Sequence, residues 1–134
     1  MNYILDTNIC IYIIKKKPES VLEKLNEKRL GIIGISIITV SELFYGVRKS
    51  LFPEKNLEAL KKFLIPFEIF KFDFNSAIFY GKIRNELEKG GTPIGSLDML
   101  IAAHALSLNH ILVTNNEKEF SRVKDLKIEN WVIK

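Results

Sequence analysis

The sequence predicts an α/β protein of three layers, α/β/α, with a mainly parallel central sheet of about five strands. Two observations predict it. First, the chain contains short apolar runs rich in β-branched residues and longer segments whose apolar residues recur at helical spacing. Second, the two kinds of segment alternate along the chain. This alternation is typical of a parallel sheet that is covered by helices on both faces. The 134 residues are enough for one core, so we expect residues 1–134 to form one domain.

The first half of the chain contains two predicted strands, each followed by helices. The run 3–5 is apolar and stops at Asp6, after which a helix pattern begins at once. Pro18 separates that helix from the next, because proline cannot continue a helix. The run 31–38 is rich in isoleucine and apolar on both faces, as expected of a central parallel strand. The predicted helices of this half cover residues 9–14, 21–25, 39–47 and 56–65.

The second half contains three more predicted strands. Pro66 ends the preceding helix, and residues 68–72 alternate as a half-buried strand would. A long helix follows at 74–89, and the glycines and proline of residues 90–93 break it. The helix from residue 95 to 108 is almost wholly apolar, which predicts that it is buried. A strand at 111–114, a helical turn from Asn115 to Phe120 and a strand near 127–131 complete the order.

The composition excludes several classes of protein. With 47% hydrophobic and 27% charged residues, the chain suits a globular domain rather than a disordered one. Its net charge of +4 permits a polyanionic partner without requiring one. A single cysteine cannot form an internal disulfide, which fits a reducing compartment. No apolar run reaches the roughly 20 residues of a membrane span, and Lys15 to Lys17 follow the first apolar run, the wrong order for a signal peptide. We expect a cytoplasmic protein.

Three acidic residues occupy similar positions relative to the predicted elements. Asp6 follows the first strand, and Glu42 lies in the first turn of the helix after the second strand. Asp98 lies in the first turn of the buried helix that precedes the fourth strand. Since parallel strands point the same way, the segments that follow them meet at one edge of the sheet, where helix amino termini also gather. We therefore expect Asp6, Glu42 and Asp98 to lie close together.

Each of these acids also has a simpler explanation. Asp6 to Asn8 are residues favoured as helix N-caps, and Thr39 with Glu42 matches a capping box. Asp98, two residues after a possible Ser96 cap, suits the positive end of a helix dipole. The apolar neighbours of Asp98 favour a functional interpretation, because an acid shielded from water needs a partner.

A divalent metal ion would provide that partner. Carboxylates brought together repel one another, and a shared cation removes the repulsion. Oxygen-only ligands suit Mg²⁺ or Mn²⁺ rather than zinc. Cys10 and His104 lie on apolar helix faces and are predicted to pack in the core instead. Such an ion would polarise a phosphoryl oxygen and activate water, which favours phosphoester hydrolysis.

Four short motifs occur in a fixed order along the chain. They are Asp6-Thr7-Asn8, Ser41-Glu42-Leu43-x-x-Gly46, Gly95-x-x-Asp98-x-x-Ile101-Ala102 and Leu112-Val113-Thr114-Asn115-Asn116 with Phe120. Each is weak alone, but the ordered set resembles the PIN-domain ribonucleases, and most closely the VapC-type toxins of bacterial toxin–antitoxin pairs. The resemblance covers essentially the whole chain. It implies a Mg²⁺-dependent (or Mn²⁺-dependent) endoribonuclease that cuts structured RNA, commonly transfer RNA, and that forms a homodimer inhibited by a small VapB-type antitoxin.

The resemblance also implies roles for individual residues. Asp6, Glu42 and Asp98 would be catalytic acids that bind the metal. Thr7 or Asn8 would hydrogen-bond these acids or position the scissile phosphate.

The chain departs from the family pattern at the fourth acid. Many PIN domains carry Asp at the position of Asn116, after the strand-end Thr114. Asn is a neutral and weaker ligand, so a second metal ion would be poorly held. The resemblance implies that Thr114 and Asn116 position substrate or phosphate. Glu119, one helical turn further on, is the candidate for the missing catalytic acid; a solvated helix residue is the alternative.

The sequence also fits functions of other classes. The main alternative is a catalytically weak or inactive PIN-fold module that binds RNA or protein, with Asn116 marking the lost activity. A dehalogenase-like phosphatase needs a second acid where Asn8 stands, and a receiver domain needs paired acids that this chain lacks. Basic residues such as Lys15 to Lys17, Arg48 and Lys49 either line an RNA path or form ordinary solvated faces.

Overall fold

The computed structural model describes residues 2–133, so Met1 and Lys134 of the predicted domain lie outside the described residues. The strands are β1 (Tyr3–Leu5), β2 (Ile33–Ser36), β3 (Glu68–Phe70), β4 (Ile111–Val113) and β5 (Ile128–Glu129). The helices are α1 (Thr7–Lys15), α2 (Glu19–Glu27), α3 (Ile37–Arg48), α4 (Pro53–Leu64), α5 (Phe74–Lys89), α6 (Ser96–Leu108) and α7 (Glu117–Phe120), and a 3-10 turn spans Leu30–Ile32. None of the helices within residues 2–133 combines the length and apolar composition needed to cross a membrane.

The five strands form one sheet in the order β3-β2-β1-β4-β5, and all neighbouring strands run parallel. Successive side chains of β1 enter opposite layers: Tyr3 and Leu5 pack with residues of α1 to α4, while Ile4 packs with residues of α5 and α6. This alternation follows from the period of two in a strand. The predicted three-layer α/β/α fold with a five-stranded sheet is therefore confirmed.

The strand order places the end of β1 at the centre of the carboxyl edge. From β1 the chain moves outward to β2 and β3, and later returns to the other side of β1 to form β4 and β5. In α/β folds such a reversal leaves a crevice beyond the carboxyl ends of the two strands, here β1 and β4, and ligands commonly bind there. The Asp6 amide donates to the Val113 carbonyl at 3.0 Å, which ties the two strand ends together.

The predicted boundary between the second strand and its helix was wrong. The strand was expected to run through Ile38, but β2 ends at Ser36 and α3 begins at Ile37. The Ser36 hydroxyl caps α3 by accepting a hydrogen bond from the Ile38 amide at 3.1 Å. This cap outweighs the β-branched character of the two isoleucines.

Several other helix and strand boundaries differ from the predicted ones. α4 begins at Pro53 rather than at residue 56, with proline at the first helical position, where its missing amide costs nothing. Strands β3, β4 and β5 are shorter than predicted, and α7 begins at Glu117. Helix α5 has the predicted bounds.

Candidate active site

Asp6 lies at the crevice, where β1 ends and α1 begins. Its carboxylate accepts a hydrogen bond from the Ile9 amide at 2.9 Å, so it caps α1 as the simpler explanation predicted. The side chain is only 5% exposed. A capping acid on a surface helix remains in water, whereas this one is almost wholly removed from it.

Glu42 is bound to the residue that follows Asp6. The Thr7 hydroxyl donates to Glu42 Oε1 at 2.7 Å, joining the start of α1 to α3 across 35 positions of sequence. Glu42 lies in the second turn of α3 rather than the first, because Ser36 is the cap. The predicted capping box of Thr39 and Glu42 is therefore wrong; the Thr39 hydroxyl is buried without a hydrogen-bond partner among the described residues.

Asp98 lies in the first turn of α6, as predicted, and is half-buried. Gly95 rather than Ser96 occupies the cap position, and no side chain caps this helix. A β-carbon added at Gly95 would stand 3.6 Å from Asp98 Oδ2, so the loop backbone passes close to the carboxylate. Asp98 and Glu119 can share a hydrogen bond when one of them is protonated.

Glu119 is held beside Asp98 by the polar residues after β4. Asn116 Nδ2 donates to Glu119 Oε2 at 3.2 Å, and the Asn116 amide donates to the buried Thr114 hydroxyl at 2.9 Å. The structure thus brings Glu119 to the other acids. Asn116 contacts that acid rather than replacing it.

The electrostatics of the acids indicate that they face one another. Burial, reinforced by the charge of Glu42, raises the pKa of Asp6 to about 6, although hydrogen bonds from Thr114 and from backbone amides oppose the shift. Burial also raises the pKa of Asp98 to about 6, together with the charges of Glu119, Glu42 and Asp6. Four acids from four segments therefore lie within range of mutual repulsion.

Within residues 2–133, no cationic side chain forms an ion pair with this group of acids. The ion pairs within residues 2–133 join other side chains, on α2, on α5 and between or within α3 and α4. In the same part of the chain, no three Asp, Glu, His or Cys side chains are close enough in their present positions to hold a metal ion together. The donor atoms of the four acids are all carboxylate oxygens, the ligands that Mg²⁺ and Mn²⁺ prefer.

Two other residues singled out in the sequence lie on α1 close to Asp6, one exposed and one buried. The Asn8 side chain is exposed, and its backbone amide is one of the hydrogen-bonding groups around Asp6. Cys10 is fully buried, and burial together with the charge of Asp6 raises its thiol pKa well above the usual range. A protonated, enclosed thiol is neither a ligand nor a nucleophile.

His104 is buried as predicted, but its partner was not foreseen. Its Nδ1 lies 2.7 Å from the hydroxyl of Ser36, so α6 is joined to the cap of α3. The rings of Phe70 and Phe72 face the imidazole edge-on, and burial lowers its pKa. His104 therefore contacts the cap residue of the helix that carries Glu42, but it is not one of the residues that face the four acids.

A further set of polar contacts beside the acids was also missed. Asn130 Nδ2 donates to Asn115 Oδ1 at 3.2 Å and to Glu117 Oε2 at 3.0 Å, and Asn115 Nδ2 donates to the Tyr12 hydroxyl at 3.4 Å. These bonds connect α1, the start of α7 and the segment after β5. The Asn115-Asn116 pair at a strand end was the available signal, but its partners lie too far along the chain to be inferred.

An apolar groove opens next to Glu42. It lies between α1, α3 and α4, has a volume of about 440 Å³, and is lined chiefly by Ile11, Ile14, Leu43, Val47 and Leu60. Glu42 and Lys15 supply polar groups on its wall. We call this feature the α1–α3–α4 groove.

The chain is similar in sequence and in fold to known proteins. The PIN domain family model matches residues 3–126. The chain is 45% identical over 131 residues to the tRNA(fMet)-specific endonuclease VapC of Salmonella typhimurium, covering 98% of each chain. It is 47% identical over 132 residues to ribonuclease VapC2 of Rickettsia felis, again covering 98% of each. Among solved structures, VapBC2 from Rickettsia felis bound to a promoter DNA fragment contains a chain that matches with a TM-score of 0.91 at 45% identity, covering 98% of this chain and 100% of that one.

Proposed function

Because the chain belongs to the PIN-domain family, we propose that it is a metal-dependent endoribonuclease toxin of the VapC type, held inactive by a cognate antitoxin. The observation that carries the proposal is the meeting of Asp6, Glu42, Asp98 and Glu119 at the carboxyl edge of the sheet, with two raised pKa values and no cationic partner among residues 2–133. The relatives of similar length are named as ribonucleases, which supports RNA as the substrate.

We propose Asp6, Glu42 and Asp98 as ligands of Mg²⁺ or Mn²⁺, with Glu119 as a fourth acid. Sharing one ion requires these side chains to approach more closely than they do in the structure. The bound ion would supply a polarised phosphoryl oxygen and a water of lowered pKa. The chain itself supplies a nearly dry position for Asp6, and low exposure strengthens any charge interaction made there.

The neutral residues of the site would hold the acids in place. Thr7 fixes the orientation of Glu42 through its hydroxyl, and Thr114 anchors the turn that carries Asn116. Asn116 in turn holds Glu119. The Asn8 side chain is exposed two residues after Asp6, and we propose that it contacts the scissile phosphate.

We propose transfer RNA as the substrate class and the cytoplasm as the location. The name of the Salmonella relative, a tRNA(fMet)-specific endonuclease, supports this choice of RNA. We further propose that a segment of a small VapB-type antitoxin occupies the α1–α3–α4 groove. The groove is apolar and has Glu42 on its wall, so a bound segment would lie beside the acids. We also propose that the protein forms a homodimer.

The test is RNA cleavage by purified protein. We expect wild-type protein to cut a tRNA(fMet) transcript in Mg²⁺ and to lose activity in EDTA. Asp6→Asn and Asp98→Asn should each reduce cleavage by about 100-fold or more while the circular dichroism spectrum is unchanged. Glu117→Gln is the matched control, since Glu117 is an exposed acid on α7 beside the site. Equal cleavage in EDTA would exclude the metal mechanism.

The same assay addresses the alternative of a PIN-fold binding module without catalysis. Asn116 is the feature in its favour, because an amide is a weaker ligand than a carboxylate. Asn116 bonds Glu119 at the group of acids, so the site retains four carboxylates. A binding module of this kind would bind the transcript but would not cleave it, whichever divalent metal ion is added.

A further inference from the structure

A second cavity lies on the opposite face of the sheet from the α1–α3–α4 groove. It has a volume of about 330 Å³ and lies between α5 and the turn that follows α7. Its floor is apolar, from Ile83 and Leu87 of α5. Its rim is polar and exposed, and consists of Thr92, Arg122, Lys124 and Glu86. We call it the Arg122 pocket.

The Arg122 pocket is joined to both segments that carry the acids on this side. Arg122 Nη1 donates to the Pro93 carbonyl at 3.0 Å, and Pro93 lies two residues before the Gly95 that passes Asp98. The Arg122 amide donates to the Glu119 carbonyl at 3.1 Å. Two residues of chain span at most about 7 Å, so the pocket borders the candidate active site.

The charges of the rim suit a phosphate. Arg122 uses one of its five N–H donors on Pro93, and within residues 2–133 neither Arg122 nor Lys124 forms an ion pair. The planar guanidinium matches the geometry of phosphate oxygens, and the Thr92 hydroxyl adds a neutral donor. Among the described residues that line the pocket, Glu86 carries the one opposing charge.

A polyanion that enters a crevice lined by four carboxylates meets repulsion, and positive groups beside the crevice would offset it. We propose that the Arg122 pocket binds a backbone phosphate of the RNA chain, next to the phosphate at the acids, with Arg122 and Lys124 as the cationic contacts. The inference rests on the proposed ribonuclease function for the identity of the chain that enters. It adds a contact on the α5 side that neither the acids nor the α1–α3–α4 groove supplies.

The experiment measures the affinity of full-length protein for a tRNA(fMet) transcript by filter binding in EDTA, where binding is separate from cleavage. Arg122→Gln and Lys124→Gln should each raise Kd about threefold or more, and each should lower the slope of log Kd against log salt by about one. Glu86→Gln should lower Kd, because it removes the opposing charge. Arg122→Lys keeps the charge but not the planar guanidinium, so its Kd should lie between those of wild type and Arg122→Gln, with the salt slope of wild type.

Lys24→Gln is the matched control for loss of one positive charge. Lys24 belongs to α2, in the layer on the other face of the sheet, and its removal should change Kd less than twofold. Equal Kd values for Lys24→Gln, Arg122→Gln and Glu86→Gln would overturn the inference. So would loss of cleavage in Arg122→Gln with Kd and salt slope unchanged, because Arg122 would then only hold the loop before Asp98.

Two further arms separate the possible outcomes. Inorganic phosphate should compete with the transcript in wild-type protein and less in Arg122→Gln. If Arg122→Gln lost phosphate binding but kept its RNA affinity, the pocket would accept small anions only, and the inference would be wrong. Binding of the transcript through this pocket without cleavage in Mg²⁺ would contradict the proposed nuclease while supporting the phosphate contact.

Discussion

The carboxylate of Asp6 both caps α1 and faces the other acids at the crevice. The cap bond to Ile9 stabilises its charged form, but burial and the nearby Glu42 outweigh that bond. In the absence of a cation, this charge therefore costs folding free energy. A divalent cation bound beside Asp6 would offset this cost, and the offset would favour binding of the cation.

We predict that Asp6→Asn increases the stability of the metal-free protein at neutral pH. The Asp6 pKa is about 6 in the folded protein against an ordinary value of 3.8, so the folded form holds more protons between these values and wild type loses stability as pH rises through them. Asn cannot titrate and still caps a helix. The variant should gain up to about 3 kcal/mol of unfolding free energy above pH 6 and nothing near pH 3.

Urea unfolding in EDTA at pH 3.5 and 7.5 measures this difference. Asp73→Asn is the control, because Asp73 also caps a helix, but hydrogen bonds from Ser76 lower its pKa. Removing that charge should not stabilise the protein at pH 7.5. An Asp6→Asn variant less stable than wild type at pH 7.5 would show that the Asp6 charge is already compensated.

Single residues were predictable where strand ends fix their position. Asp6, Glu42 and Asp98 were located from the ends of elements, since parallel strands bring those ends to one edge. The contacts made by their side chains were not predictable, because the Thr7–Glu42 bond spans 35 positions and depends on how α1 packs against α3. Glu119 was a candidate on spacing alone; its bond to Asn116 required coordinates.

At the level of elements, the most informative feature is the start of α3. Ser36 ends β2, caps α3 and contacts His104 of α6, so one hydroxyl joins three elements. The sequence could not reveal this, since Ile37 and Ile38 extend an apolar β-branched run and favour strand. Capping and tertiary contacts decided the boundary instead of intrinsic propensity.

We predict that Ser36→Ala lowers the unfolding free energy by about 1–3 kcal/mol, because it removes a helix cap and leaves the buried His104 Nδ1 unpaired. Thermal and urea unfolding of the two proteins measure the loss. Ser41→Ala is the matched control on the same helix; its exposed hydroxyl bonds the Ile37 carbonyl, and its loss should cost under about 0.5 kcal/mol. Equal effects of the two changes would contradict the assigned role of Ser36.

For the whole molecule, the fold places three features around one edge of the sheet. The acids lie at its centre, the α1–α3–α4 groove opens on one side, and the Arg122 pocket lies on the other. The sequence predicted the layers and the parallel sheet from alternation alone. It could not predict the cavities, because each is formed by side chains from several elements that approach only in the folded chain.

We predict that Ala59→Arg weakens antitoxin binding by about tenfold or more while RNA cleavage stays within twofold of wild type. Ala59 is an exposed residue of α4 that lines the α1–α3–α4 groove, so a large charged side chain there fills it without disturbing the core. Co-purification and titration with the proposed VapB-type antitoxin measure the effect. Ala77→Arg, on exposed α5, is the control; an undiminished complex for Ala59→Arg would place the antitoxin elsewhere.

The central claim is that the acids at the carboxyl edge share a divalent cation. Calorimetric titration of metal-free protein with Mn²⁺ tests it most directly, using wild type, Asp98→Asn and the Glu117→Gln control. We predict saturable binding to wild type and to Glu117→Gln, and at least about tenfold weaker binding to Asp98→Asn, since the half-buried ligand charge is lost. Equal Mn²⁺ affinity in Asp98→Asn and wild type, or no saturable binding to wild type, would contradict it.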